Sequence, residues 1–450
     1  RQRRGTGTAR ERALKLVDED TFVELDVFVE GAVTGHGKVD GRDVYIFSQD
    51  GEFLPDSLDQ AFARKMVKVL DLAMKNGAPL VGLYDCGRAG ASAASGSASL
   101  GGYAELFFRN VMASGLVPQI AAVMGPCAGA AVYSPALMDV MIMVKGAGHL
   151  YLGDPGSAAG DGESVVALED LSGARTHTET SGVAHLAVDD EAECLETIRR
   201  LLAYLPQNNL EESPRWRSVD PHAGAGDELA PLVASDPGQV YDMAGVITRV
   251  MDGGEFFELS SGWAKNLVVG FARLAGRAMG VVANQPAHLE GRLDRDAAAK
   301  GARFVRLCDA FNLPLLVFVD TPGFAGGTAQ EHGGVIRAAG QLMYALCEAT
   351  VPKLTTVIHR AHGEGFEVMC SKHIRADFTF AWPTAEIAVA APSGALDRQD
   401  DSSPYAAALY GHLDDIIEPA ETRARLIAAL DACASKREGR PPKKHGNIPL

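Results

Sequence analysis

The sequence predicts an α/β fold made of two similar domains related by internal duplication. An apolar strand runs into Asp85, and a glycine-rich turn at Gly129 follows 44 positions later. A second apolar strand runs into Asp320, and another glycine-rich turn at Glu364 again follows 44 positions later. Asp320 and Glu364 thus both lie 235 positions after their counterparts, which indicates a repeated unit. Turns of this kind, where they open a helix, expose backbone N–H groups that stabilise a developing oxyanion.

The predicted elements of the first half are strands, then a helix, then further strands. Residues 22–50 alternate apolar and polar side chains, which is typical of short strands, and Asp40-Gly41 predicts a hairpin turn. Ser57 as N-cap and apolar residues at helical spacing predict a helix over residues 57–76. The rest of this half alternates like a layered βα domain. It is predicted to contain strands over 80–84, 119–124 and 140–144 and a helix after Gly129.

The second half restarts after a polar, proline-rich connection between Leu205 and Gly238. We therefore expect an N-terminal domain over residues 1–220 and a C-terminal domain over residues 221–450. The last helix of the C-terminal domain is predicted to start after a proline and has a glycine beyond its end, which is the usual placement of these two residues. The elements predicted here are strands over 244–250, 268–274, 279–284 and 315–319 and helices over 297–312 and 420–435.

Composition narrows the class of function. The chain has 450 residues, 47% of them hydrophobic, but its apolar runs are shorter than the roughly 20 residues that span a bilayer. The basic start lacks an apolar signal core, so we expect a cytoplasmic protein, or one in an organelle matrix after processing. A net charge of −16 argues against a nucleic-acid partner. A phosphorylated ligand would have to be bound by a local cluster of basic residues, and the candidate clusters are at 1–12 and 440–444. The seven scattered cysteines form no CxxC pair, which fits a reducing compartment without a zinc site.

Longer motifs point to one family. They include segments 109–110, 113–115, 118–120, 132–137, 173–178, 181–185, 283–286, 333–337, 349–353 and 443–450, together with Met124-Gly125-Pro126-Cys127-Ala128-Gly129 and Ala381-Trp382-Pro383-Thr384-Ala385-Glu386. This set closely resembles the carboxyltransferase (beta) subunits of biotin-dependent acyl-CoA carboxylases, of the propionyl-CoA carboxylase type. The resemblance covers nearly the whole chain and implies two crotonase-like (ClpP/crotonase) ββα-spiral domains.

The resemblance also implies which residues act. The amides of Gly129 and Ala130 match the pair that holds the acyl-CoA thioester oxygen, and those of Glu364 and Gly365 match the pair that faces the biotin ureido oxygen. Both oxygens become negative during carboxyl transfer, and one such donor is typically worth about 3 kcal/mol of barrier. No side-chain base is required. The residues expected to line the substrate sites are Cys127, Ala128, Tyr133, Phe366, Glu367, Gly87 and Arg88.

Cofactors and partners follow from the same resemblance. No cofactor is expected to be covalently bound, because carboxybiotin is carried by a separate protein and the coenzyme A thioester is a substrate. Ala73-Met74-Lys75 resembles a biotinyl-lysine motif, but it lies on a predicted helix and lacks a following Met. No metal is expected, since Glu331 and His332 have no third ligand at helical spacing. We expect a homo-hexamer (dimer of trimers) whose working cavity lies between the N-terminal half of one chain and the C-terminal half of another. Its expected partners are a biotin carboxylase and biotin carrier subunit. No nucleic acid or membrane is expected as a partner.

Some positions depart from the family pattern and leave the activity open. Ala130 stands where a second glycine is typical, and the loop 86–96, which normally lines the acyl-CoA site, is rewritten. Glu364 places a carboxylate in the biotin hole, where it must point away or donate a proton. Two alternatives to carboxyl transfer therefore remain: a biotin-independent decarboxylase of malonyl- or methylmalonyl-type thioesters, and a silent assembly subunit. Acyl length, and coenzyme A versus carrier-protein thioester, also stay open.

Side chains near the two turns have simpler interpretations as well. A buried thiol that packs the turn is a better interpretation of Cys127 than a nucleophile. Asp85 and Asp320 are expected to cap their turns rather than to react.

Overall fold

The computed structural model describes residues 7–51, 60–87, 98–153, 167–217, 228–233, 240–389 and 402–449. The chain divides into two compact units, Arg1–Glu211 and Glu212–Leu450. This border falls inside the polar connection noted in the sequence, a few residues before the expected border at 220. The predicted N-cap Ser57 and the site residue Arg88 lie outside the described residues.

The first unit is a mixed sheet with helices packed on it. Its elements are α1 (Ala9–Leu16), β1 (Val23–Leu25), β2 (Ala32–Val39), β3 (Arg42–Gln49), α2 (Gln60–Asn76), β4 (Leu80–Tyr84), α3 (Ala98–Ala113), β5 (Gln119–Val123), β6 (Pro126–Ala128), α4 (Tyr133–Leu137), β7 (Val140–Val144), β8 (His149–Tyr151), α5 (Leu168–Ser172), β9 (Leu186–Val188) and α6 (Glu191–Leu202). The sheet order is β1-β2-β3-β4-β5-β7-β9, and β6 pairs with β8 separately. Strands β1 to β3 are antiparallel, whereas β3 onward are parallel.

The predicted hairpin is confirmed at Asp40-Gly41. Both residues have positive φ, 50° and 77°, as a two-residue turn between β2 and β3 requires. The carboxylate of Asp18 accepts hydrogen bonds from both turn amides, at 3.1 Å from Asp40 N and 2.8 Å from Gly41 N. The turn is therefore held from outside the hairpin as well as by its own sequence.

The second unit repeats this architecture. Its elements are α7 (Met243–Val250), β10 (Phe256–Leu259), β11 (Leu267–Leu274), β12 (Arg277–Asn284), α8 (Arg295–Ala310), β13 (Leu315–Thr321), α9 (Thr328–Gly333), α10 (Val335–Glu348), β14 (Lys353–His362), α11 (Gly363–Val368), β15 (Phe378–Ala381), β16 (Glu386–Ala388), α12 (Pro404–Leu409), β17 (Asp415–Ile416) and α13 (Thr422–Ala432). The sheet order is β10-β11-β12-β13-β14-β15-β17, with β16 beside the end of β14. Seven strands in the same sequence of antiparallel and parallel pairs confirm the internal duplication.

The strand predicted over 244–250 is wrong, because this segment is helix α7. Asp242 caps the helix by accepting a hydrogen bond from Ala244 N at 2.9 Å. The buried residues are Met243, Val246, Ile247 and Val250, which follow the spacing of one helical face. A short, mostly apolar segment fits either structure by periodicity, and the aspartate cap is the signal that decides.

Both cores are built around fully buried strands in the middle of each sheet. Every residue of β4, β5 and β7 is buried, as are those of β11, β12 and β13. Strands that are buried on both faces read as continuous apolar runs, which is why the sequence located most of them correctly. Within the described residues, none of the helices is both long and apolar enough to cross a bilayer.

Candidate active site

The first expected oxyanion hole lies where β6 gives way to a helical turn. Ala128 is extended at φ −129°, Gly129 is left-handed at φ +59°, and a 3-10 turn over Gly129–Val132 follows. A methyl group placed on Gly129 would meet no atom within 4 Å, so the space beside this residue is open. The first amides of such a turn have no acceptor inside it, and they point toward that end of the helix.

A buried polar network anchors the helix α4 that continues this turn. Ser134 on α4 lies 2.7 Å from the Tyr84 hydroxyl and donates to Asn110 Oδ1 at 2.8 Å. Asn110 in turn donates to Gln119 Oε1 at 3.0 Å. All four residues are buried, so the network ties α4 to β4, α3 and β5 in a fixed orientation.

The turn after β4 packs tightly against this site. A methyl group on Gly125 would lie 2.1 Å from Asp85 Oδ1, and one on Gly87 would lie 2.3 Å from Gly51 O, so each position accepts only glycine. Asp85 pairs with Arg12 at 3.2 Å, and Arg12 also pairs with Glu191 at 2.5 Å. Arg12 is 3% exposed, so this member of the basic N-terminal cluster is buried in an ion-pair network and is not a surface phosphate ligand.

The remaining first-half candidates differ in exposure. Cys127 is fully buried, and Ala128 is buried beside it, whereas the Tyr133 side chain is 48% exposed. Gly87 is left-handed at φ +65° in the turn after Asp85. The structure therefore presents Tyr133 at the surface of the site and keeps the Cys127 sulfur inside the turn.

The second hole lies at the equivalent position, one residue earlier than the sequence offset indicates. β14 ends at His362, which is extended at φ −107°, and Gly363 is left-handed at φ +54° where α11 begins. Gly363 is therefore the counterpart of Gly129, and Glu364 is the counterpart of Ala130. The expected pairing of Glu364 with Gly129 is wrong by one residue.

Strand pairing explains this shift. Leu80 on β4 pairs with Gln119, whereas Leu315 on β13 pairs with Lys353. The second connection is thus one residue shorter than the first, so the offset of 235 holds for β4 and β13 and becomes 234 afterwards. The offset counted from residue identity did not detect the deletion, because Gly363, Glu364 and Gly365 are close in sequence.

Four consecutive residues on α11 differ in their environments. The side chains of Glu364 and Glu367 are exposed, whereas Phe366 is 6% exposed. Gly365 is buried, and a methyl group there would lie 2.8 Å from Gly323 Cα. Glu364 is not buried within this chain. Gly365 allows α11 to pack on the turn after β13.

A cavity of about 440 Å³ opens beside α11. It is lined by Gly363, Glu364, Phe366, Glu367, His373, Ile387, Ala388, Val389, Ala407, Tyr410 and His412. His373 and His412 contact each other with ring centroids 4.6 Å apart. Burial, then His373 and Lys372, lower the pKa of His412, so its ring is neutral near pH 7. No sequence motif connects these two histidines, and sequence reasoning missed both.

Asp320, near the end of β13, is held by β14 and by Tyr241 rather than by the amides of the turn that follows it. Its Oδ1 accepts hydrogen bonds from Arg360 N at 3.2 Å and Arg360 Nε at 2.8 Å, and its Oδ2 accepts one from the Tyr241 hydroxyl at 2.9 Å. Burial acts to raise the pKa of Asp320, but hydrogen bonding to His359 and the charge of Arg360 outweigh it and lower that pKa. Asp320 is therefore an anion that ties β13 to β14 and to Tyr241.

Other charged groups lie away from the two turns. From the basic C-terminal cluster, Arg440 donates to Glu348 O and Ala349 O at 2.9 and 2.7 Å, and Lys443 pairs with the Glu348 side chain. Both residues therefore contact the end of α10. In the part of the chain that the structure describes, no group of three His, Cys, Asp or Glu side chains is placed to hold a metal ion.

Comparison with known proteins identifies the family. The sequence matches the carboxyl transferase domain family over residues 1–397. The propionyl-CoA carboxylase carboxyltransferase subunit of Haloferax mediterranei is 47% identical over 99% of this chain and 94% of that protein. Methylmalonyl-CoA decarboxylase subunit alpha of Veillonella parvula is 45% identical over 99% of this chain and 94% of that protein.

A solved structure agrees with these sequence matches. The transcarboxylase 12S hexamer core, crystallised with hydrolysed methylmalonyl-coenzyme A, superposes with a TM-score of 0.95 and 40% identity over 99% of this chain and 93% of that chain. Together with these relatives, the two crotonase-like domains related by duplication identify the class of protein as an acyl-CoA carboxyltransferase. The chain belongs to the carboxyl transferase domain family.

Proposed function

We propose that the chain moves a carboxyl group between biotin on a separate carrier protein and the α-carbon of a short acyl-CoA. The observation that carries this proposal is the pair of equivalent turns, in which Gly129 and Gly363 adopt the same left-handed conformation at a helix start. One hole would receive the thioester oxygen on the amides of Gly129 and Ala130. The other would receive the biotin ureido oxygen on the amides of Glu364 and its neighbours Gly363 and Gly365.

The cavity beside α11 supports the biotin side of this assignment. Its volume of about 440 Å³ lies in the usual range of small-molecule sites, and Phe366, Ile387 and Ala407 give it apolar walls. Those walls suit a neutral fused ring, and Glu364 and Glu367 at its edge can accept hydrogen bonds from ureido N–H groups. Carboxybiotin supplies carbon dioxide when bound; the chain's own part is to orient both partners and to hold the two oxyanions on fixed amides.

Exposed apolar helix faces support assembly into a homo-hexamer. Phe108, Val111 and Met112 form one stripe on α3 and are each about half exposed, at 55%, 49% and 49%. On α12, Tyr405 and Leu409 are 59% and 89% exposed. Faces of this kind mark protein contacts, and the related transcarboxylase core forms a hexamer. A biotin carboxylase and biotin carrier subunit would be the further partners, and the cytoplasm the site of action.

Product analysis tests the carboxyl transfer. The pure protein is incubated with methylmalonyl-, malonyl- or propionyl-CoA, with and without biotin or carboxybiotin, and products are followed by mass spectrometry. We expect methylmalonyl-CoA to yield propionyl-CoA only when biotin is present, and carboxybiotin to carboxylate propionyl-CoA. Loss of carbon dioxide at the same rate without biotin would contradict the proposal.

A second candidate is a decarboxylase that does not need biotin. It is favoured by Glu364, whose carboxylate stands beside the second pair of amides. In this reaction the first hole holds the thioester enolate, and Glu364 delivers a proton to its α-carbon. The Glu364→Gly variant would then lose turnover with little change in thioester binding.

A further inference from the structure

Two buried thiols meet beside the first hole. Cys86 lies in the turn after β4, and Cys127 lies on β6 two residues before Gly129. Their Sγ atoms are 3.3 Å apart, and the side chains are 2% and 0% exposed. The backbones run side by side, because Cys86 N donates to Pro126 O at 3.0 Å. The turn and the strand therefore approach each other at these two sulfurs.

The hydrogen bonds of the two thiols do not hold the sulfur atoms apart. Cys86 has a single thiol hydrogen, which is donated either to Gln49 Oε1 at 3.1 Å or to Cys127 Sγ at 3.3 Å. Disulfide sulfurs are about 2.0 Å apart, so a bond requires an approach of little more than about 1 Å. Asp85 and Gly125, which flank the pair in sequence, are packed so closely that the backbone next to the two cysteines cannot relax freely.

We infer that Cys86 and Cys127 form a site of oxidative modification, at which a hydroperoxide converts the two thiols into a disulfide and displaces the Gly129 turn. In the first step one thiol attacks the peroxide, takes one oxygen to become a sulfenic acid, and releases water from hydrogen peroxide. In the second step the other thiol attacks that sulfur, the S–S bond forms, and a second water leaves. Two electrons pass from the thiols to the peroxide.

The environment sets the character of this reaction. The hydrogen bond to Cys127, then burial, raise the pKa of the Cys86 thiol well above its ordinary value, so the thiolate is scarce and the reaction is slow. Because both thiols are buried, small hydroperoxides reach them more readily than bulky ones. Cys347 is exposed and lies on α10 in the other unit, so it is a thiol that can react with peroxide without involving this pair.

The test is peptide mapping after oxidation. The intact protein is treated with hydrogen peroxide, unfolded, alkylated and digested without reduction, and its carboxyl transfer activity is measured in parallel. We expect a linked peptide that joins Cys86 to Cys127, two hydrogens lighter than the sum of its parts, and an activity loss of at least tenfold that dithiothreitol reverses. Cys86→Ser should retain activity after peroxide, whereas Cys347→Ser should lose it like the wild type.

Several results would overturn the inference. These are alkylation of both thiols after peroxide, a linked peptide without loss of activity, or equal inactivation of Cys86→Ser and the wild type. Circular dichroism checks the fold of Cys86→Ser, and Cys86→Ala serves as the second variant if that fold is lost. The linked peptide is detected by its mass and needs no activity assay. A missing disulfide can therefore be told apart from a failure of the proposed carboxyl transfer.

Discussion

At the residue scale, Glu364 is the side chain whose charge most directly concerns the proposed chemistry. It stands in the first turn of α11, beside the amides expected to hold an oxyanion, and its side chain is exposed. At an effective dielectric near 20, two unit charges about 4 Å apart repel by roughly 4 kcal/mol, which is comparable to what one hole donor contributes. An exposed carboxylate avoids most of this repulsion by turning toward solvent.

Replacing Glu364 with glycine separates the two candidate functions. If carboxyl transfer with biotin is the native reaction, Glu364→Gly should raise its rate by about two- to tenfold, because a residual repulsion near 1 kcal/mol is removed. The rate is measured as propionyl-CoA formed from methylmalonyl-CoA and biotin. Glu196→Gln, at an exposed carboxylate on α6 that belongs to neither turn, is the control and should change the rate by less than about twofold. A large loss in Glu364→Gly alone would favour the decarboxylase.

Asp320 gives a prediction about pH. Its folded-state pKa is lowered, so its contribution to stability is complete above the unfolded pKa near 4 and is lost as pH falls through the folded value. Asp320→Asn should cost about 3 kcal/mol at pH 7, since it breaks a buried ion pair with Arg360. Urea unfolding of both proteins at pH 7, 5 and 3 measures the difference, which should shrink only below about pH 4. An unchanged difference at pH 3 would contradict this account.

At the element scale, the polar network behind α4 links packing to the first hole. Ser134→Ala leaves the Tyr84 hydroxyl and Asn110 Oδ1 without this buried partner, which should cost about 1–3 kcal/mol of stability. Because α4 continues the Gly129 turn, kcat should also fall, with little change in KM. Urea unfolding and steady-state kinetics check the two effects. Ser181→Ala, at a site exposed to solvent, is the control, and an equal loss there would refute the link.

Elements were predictable where their signals were local. Asp40-Gly41 defined its hairpin by turn chemistry, and the fully apolar β4 was located with the bounds that the structure shows. Helix α7 was not predicted, since a mostly apolar segment of eight residues carries no decisive period. His373 and His412 meet only through tertiary folding. The one-residue shift at Gly363 became visible only from strand register and φ.

At the scale of the whole molecule, assembly is the property that follows from the exposed apolar faces. Leu409 is 89% exposed on α12, which is unfavourable for a surface that remains in water. Leu409→Glu should reduce the proposed hexamer to smaller species, measured by light scattering coupled to size-exclusion chromatography. Lys75→Glu, a charge reversal at the exposed end of α2, should leave the mass unchanged. Equal masses for both variants and the wild type would contradict the assignment of α12 to a subunit contact.

The conformation shared by Gly129 and Gly363 has a consequence for how such an enzyme diversifies. Because the expected donors are backbone amides, the side chains that follow, Ala130 and Glu364, can change without removing a single donor. On the proposed assignment, the two glycines set the direction of the amides, and the side chains after them can be changed separately. A protein engineer seeking new acyl groups should therefore keep Gly129 and randomise Ala130 at the proposed thioester hole.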